Sequence, residues 1–229
     1  MLRDTLFLLR DELRGFAKSK VMLVLWILMP GIALAGFLLL RDRPMLQMST
    51  GKISAMAFMS LIESSIAGTV AALMVAVDIV SERNNNVYVL FVIRPIRRET
   101  IVWAKFIAVC VCVIVACTIA LAIGLAVDAI EGRAITGALL YDGLKSLTAM
   151  GHVIALACAG GVLCGVLART TLVAVILVLY VGQNFTIVPQ LPAYLGVMQE
   201  QFWLMMAISS ALVVVVVWLA GVVFRRSQF

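Results

Sequence analysis

The chain is dominated by apolar runs too long to serve as anything but helices that cross a membrane. Six segments, at about 21–40, 54–80, 101–127, 147–168, 170–188 and 203–224, approach or exceed the roughly 20 helical residues that a bilayer core requires. A barrel strand would be about half as long and would alternate apolar with polar residues, so helices are expected. Composition agrees: 64% of the 229 residues are hydrophobic and 13% charged, against roughly 45–50% and about 25% in soluble domains. The mean hydropathy is +1.12. An all-α integral membrane protein with six transmembrane helices follows, and an even number of spans puts both chain ends on one side.

Lysines and arginines set the orientation. With the N-terminus inside, that side receives Arg3, Arg10, Arg14, Lys18, Lys20, Arg83, Arg94, Arg97, Arg98, Lys105, Arg169, Arg225 and Arg226. The other side receives Arg41, Arg43, Lys52, Arg133 and Lys145. Both termini are therefore expected in the cytoplasm. The net charge of +6 is then mostly topology, and no nucleic-acid partner is expected.

Before the first run, Leu2, Leu6, Leu9, Leu13 and Phe16 recur at helical spacing, with Arg3, Arg10 and Arg14 available for the opposite side. Residues 1–20 are expected to form an amphipathic helix in the membrane interface, its arginines at the anionic lipid surface. This stretch carries charge throughout and lacks a small-residue cleavage site, so no cleavable signal sequence is expected. Between the fifth and sixth spans, Pro189 and Pro192 forbid one continuous helix in a segment that stays apolar. Residues 186–202 are expected as short re-entrant helices on the outer side, protected by protein or by a water-filled cavity.

Catalytic patterns are missing. There is one histidine, His152, with no HExxH, GxSxG or Walker P-loop anywhere, so nucleotide energy would have to come from another chain. Cys110, Cys112, Cys117, Cys158 and Cys164 lie inside apolar runs with no CxxC or Cys/His spacing, and read as packing residues. The methionines of "RPMLQMSTGKISAMAFM" raise soft-metal binding, but with no Cys or His beside them they read as apolar filler, and no metal site is expected. Ionisable residues inside a span are functional candidates by default. Glu63 sits about ten residues into the second span among Ser60, Ser64, Ser65 and Thr69. Glu63, Ser64, Thr69 and His152 are candidate pathway-lining residues, with a helix–helix contact as the plain alternative. Asp78 is expected at the interface. In the fourth span, Gly160/Cys164 and Gly161/Gly165 are small residues four apart, which lets another helix approach closely.

Between the second and third runs stands "IVSERNNNVYVLFVIRPIRRETIVWAKF", a polar interruption with an apolar "VYVLFVI" beside its arginines. An N-terminal amphipathic helix, six spans, this long first cytoplasmic loop and the broken segment before the last span together resemble the permease subunit of the ABC type-2 transporter family. In that family the loop opens on an acidic residue, continues as a short helix, and closes on proline, basic residues and a lysine entering the third span. Here Glu82 and Arg83 open it, Asn84 to Ile93 would be the helix, Arg94-Pro95-Ile96-Arg97-Arg98 follow, and Lys105 enters the span. The chain has Asn84-Asn85-Asn86 where relatives often carry a glycine, and asparagine suits a helix N-cap.

The resemblance implies a single permease domain over 1–229 in the cell inner membrane, not itself catalytic. It implies an exporter working as a dimer of permeases with separate ATPase subunits that bind ATP and magnesium. The loop at 81–100 would dock into the ATPase through Glu82, Arg83, Asn84, Val87, Leu90, Phe91, Arg94, Pro95, Arg97 and Arg98. Phe185, Pro189, Pro192 and Tyr194 would belong to an outer gate. The alternative is a secondary transporter or channel in which Glu63 and His152 form an ion relay, although no internal repeat supports it.

Overall fold

The computed structural model describes residues 2–41, 55–85, 98–130, 137–189 and 202–226. The principal helices are α1 (Leu2–Ala17), α2 (Lys20–Arg41), α3 (Ala55–Asn84), α4 (Arg98–Ile130), α5 (Gly137–Leu167), α6 (Thr171–Tyr180) and α7 (Phe202–Arg226), with a 3-10 segment at Gly182–Thr186. Among the described residues, five helical segments are long and apolar enough to cross a membrane, or six if the bent pair α1–α2 is one span. This is the helix set of a multi-pass membrane protein.

The chain turns by 63° between Leu8–Ala17 and Lys20–Gly36. Ser19 makes the corner, its hydroxyl oxygen accepting the Met22 N–H at 3.1 Å, which satisfies a free donor at the start of α2. The amphipathic pattern of α1 is present, and its described apolar side chains, from Leu8 to Phe16, pack on protein. Leu8 joins Ile101 and Ala104 of α4, and Phe16 enters the main core with Met22, Leu25 and Met29 of α2.

With lipid outside, apolar burial does little to hold helices together, and close backbone approach does more. The α3–α5 contact shows it. A Cβ on Gly161 would stand 2.5 Å from the Ala72 carbonyl oxygen, and one on Gly165 would stand 2.9 Å from the Ala76 Cα. Gly160 instead faces the 3-10 segment, where a Cβ would come within 3.0 Å of the Phe185 ring. Cys164, four residues on, clusters with Ala174 and Val178 of α6. The two small pairs thus serve two different neighbours. Helix α7 covers the other side of the core through Val216, Val217, Ala220 and Phe224.

Two boundaries differ from expectation, and the fifth span has a local irregularity. Helix α5 begins at Gly137 rather than near 147. Helix α3 runs past 80 to Asn84, so Glu82 and Arg83 lie on its last turn, and the Asn85 N–H still donates to the Ser81 carbonyl at 3.0 Å. Asn84 is therefore the last residue of α3, and the helix expected from Asn84 to Ile93 lies outside the described residues beyond Asn85. The fifth span tightens to a 3-10 turn at Gly182–Thr186 within the segment Thr171–Pro189. Polar side chains compete there with the helical ladder: Asn184 donates to the Tyr180 carbonyl, and Thr186 donates to that of Gln183. The rest of the re-entrant segment expected at 186–202 lies outside the described residues from 190 to 201.

Candidate functional site

At the end of the bundle where α3 leaves and α4 returns, one ammonium gathers three carboxylates. Asp78 and Glu82 are four residues apart on α3 and so share a face. Lys105 lies on α4 with 1% of its surface exposed. Its Nζ donates to Glu82 Oε1 at 2.7 Å, to Asp78 Oδ2, and to Glu12 of α1, whose Oε1 is 3.2 Å away. Three N–H groups meet three acids, which accounts for every donor an ammonium has. The Phe16 ring adds an apolar wall, its centroid 5.8 Å from Nζ. Burial pushes the Glu12 carboxyl above its ordinary value; Lys105 opposes that shift, and the charges of Glu82 and Asp78 add to it.

Arg83, next along α3, works in another direction. Its guanidinium donates to the carbonyl of Val166 at 3.3 Å and to that of Ala168. These carbonyls belong to the end of α5, where a helix leaves acceptors unfilled and a cation opposes the dipole. Two adjacent residues thus fasten the end of α3 to α1 and α4 on one side and to the α5–α6 turn on the other.

A profile of the ABC-2 family transporter proteins matches residues 8–184, more than half of the chain. The chain belongs to the ABC-2 transporter family. No curated protein matches it.

In this ABC-2 permease the other sequence candidates separate. Glu82 and Arg83 join the fastening just described, and Asn84 is exposed at the end of α3. Val87, Leu90, Phe91, Arg94, Pro95 and Arg97 lie outside the described residues, as do Pro192 and Tyr194; of Arg98 only the helical backbone is described. Thr69 meets the 3-10 segment of the fifth span, accepting from Gln183 Nε2 at 2.7 Å while donating to the Ser65 carbonyl. Phe185 packs against the main core, and Pro189 is buried. Glu63 and Ser64 are buried, and Glu63 Oε1 has no hydrogen-bond partner among the described residues.

His152 goes elsewhere than to Glu63. Its Nδ1 donates to the Thr148 carbonyl at 2.7 Å, and its Nε2 lies 2.9 Å from the Ser210 hydroxyl of α7. Both ring nitrogens are engaged, so His152 ties α5 to α7. Glu12 and the role of Lys105 were not visible from the sequence pattern. The acidic i,i+4 pair Asp78/Glu82 was the available signal, since two carboxylates on one helical face near a membrane call for a cation.

Proposed function

We propose that this permease is the membrane subunit of an ATP-driven exporter, working as a dimer with two separate ATPase subunits. Both termini and the 81–100 loop would face the cytoplasm, with α1 against the lipid surface. The observation that carries this is Lys105. It binds two residues just before the loop, Asp78 and Glu82, from a position just after it, and brings in Glu12 of α1. A load applied to that loop therefore reaches three helices together, and Arg83 passes it to α5.

Docking of the loop against an ATPase would turn nucleotide-driven closure into movement of the spans, a shift between two states by a ligand that favours one. ATP and magnesium would bind on the partner subunit. A dimer is supported by the thin cover over α6. Leu172, Ile176 and Leu179 are exposed there, as are Ile62 and Ile66 of α3, and a second permease seated on this face would enclose the polar pair Thr69–Gln183. Phe185 and Pro189 would stand at the outer end of that path.

Co-purification in mild detergent tests the proposal. The tagged chain is expected to bring down an ATPase, and Arg94, Arg97 and Arg98 changed together to Glu are expected to release it and abolish transport. An unaccompanied chain, or unimpaired transport by the triple variant, overturns it. Cysteines placed at Gln190 and Ala193 are expected to label from outside; labelling from the cytoplasm alone would reverse the orientation.

A further inference from the structure

Glu63 takes no part in the fastening at the loop end of the bundle, and it stands in a setting that does not suit a charge. It lies on α3 with 2% of its surface exposed, beside Ser64 and Ala67, which are fully buried. On α4 the neighbouring titratable group is the buried thiol of Cys117. No lysine, arginine or histidine among the described residues pairs with it. His152 on α5 is engaged with Thr148 and Ser210, and Lys105 holds its own three acids several turns away. One carboxyl oxygen has no donor among the described residues. A carboxylate deprived of both water and a counter-ion is among the most unfavourable groups to bury; Glu82 also leaves one buried oxygen without a partner, but its charge is met by Lys105, whereas no described cation meets Glu63.

We propose that Glu63 is a proton-binding site whose occupancy is tied to the packing of α3 against α4. In the packed arrangement the carboxyl is the neutral acid. When α3 and α4 part, its O–H bond breaks, the proton passes to water, and the carboxylate left behind is hydrated. Repacking takes one proton back, so nothing is oxidised or reduced. The packed state holds one more proton than the parted state, and it weakens as pH rises. That nucleotide binding drives the parting rests on the permease role proposed above; the proton site itself does not.

The test uses the full chain in lipid nanodiscs, without nucleotide. Infrared difference spectra between the wild type and Glu63→Gln are expected to contain a protonated-carboxyl stretch at neutral pH that shifts in deuterium oxide. Glu63→Asp, which keeps the acid, is expected to move that band rather than delete it. A membrane-permeant thiol reagent then reads the packing at Cys117. The rate for wild type relative to Glu63→Gln is expected to rise with pH by up to about tenfold per unit; a charge on Glu63 would by itself slow the neighbouring thiol of Cys117, so a rise reports the parting of the helices. A carboxylate band at neutral pH, an acid band that never exchanges, or a rate ratio flat across pH each overturns the proposal. Failure to co-purify an ATPase would sink the permease role and leave these spectra unaffected, so the two failures are distinguishable.

Discussion

Lys105 Nζ and Glu12 Oε1 lie 3.2 Å apart, although 93 residues separate them in the chain. The contact closes a ring: α1 is held to α4, α4 to α3 through Asp78 and Glu82, and the loop between α3 and α4 hangs from the fastened pair. An ammonium removed from water is favourable only when its hydrogen bonds are replaced, and here all three are.

Removing the cation should therefore do more harm than removing any one acid. Lys105→Met leaves three carboxylates facing one another. It is expected to cost about 3 kcal/mol, the lower part of the range for breaking a buried pair because the acids still reach solvent. A thermal melt in detergent checks it.

Glu12→Gln should behave oppositely. Burial raises the Glu12 carboxyl from 4.5, so the folded chain holds that proton more tightly than the unfolded one, and wild type loses stability as pH climbs from there through the raised value. Gln is neutral throughout. The melting temperature of the variant minus that of wild type is expected to increase across this window and then level off. A difference that falls as pH rises would mean that Lys105 outweighs burial.

Gly161→Ala is expected to cost about 1–3 kcal/mol as overpacking, because the new methyl meets the Ala72 backbone rather than a side chain that can yield. Gly151→Ala on the same helix meets nothing within 4 Å and is expected to be neutral or mildly stabilising. The pair of melts separates close approach from helix propensity.

Arg83→Gln should loosen the end of α5. With the Val166 and Ala168 carbonyls unsupported, amides across residues 166–170 are expected to exchange at least roughly tenfold faster, corresponding to about 1.5 kcal/mol, the lower end for a hydrogen bond to a charged group. Exchange in the middle of α5 should not change.

His152→Ala and Ser210→Ala, alone and together, should reveal a coupling of about 0.6 kcal/mol, the usual worth of a hydrogen bond between membrane helices. A coupling near zero would show that the contact only fills space.

Much of this was legible in advance. Long apolar runs locate α2 to α7 because lipid tolerates no unsatisfied backbone, and Gly161/Gly165 announced a close approach without naming α3 as the partner. The end of α3 was placed too early because Ser81, Glu82 and Arg83 interrupt the apolar pattern but not the helix; Glu82 and Arg83 are anchored by Lys105 and by α5. The tightening of the fifth span at Gly182–Thr186 was not anticipated, because it rests on side-chain bonds of Asn184 and Thr186 to nearby carbonyls rather than on a proline. The Lys105 cluster needed three helices to be assembled first, and no local window contains Glu12, Asp78 and Lys105 together.

The glycine contact between α3 and α5 has a geometric consequence. Helix α3 has 30 residues and so measures ~45 Å at 1.5 Å per residue. Backed by α5 at backbone distance, it resists bending and would tilt as a stiff rod. A tilt of about 5° at the Asn84 end then displaces the far end by ~4 Å, more than the diameter of a water molecule. A motion too small to disturb the Lys105 cluster would thus be magnified to molecular size at the far end of α3.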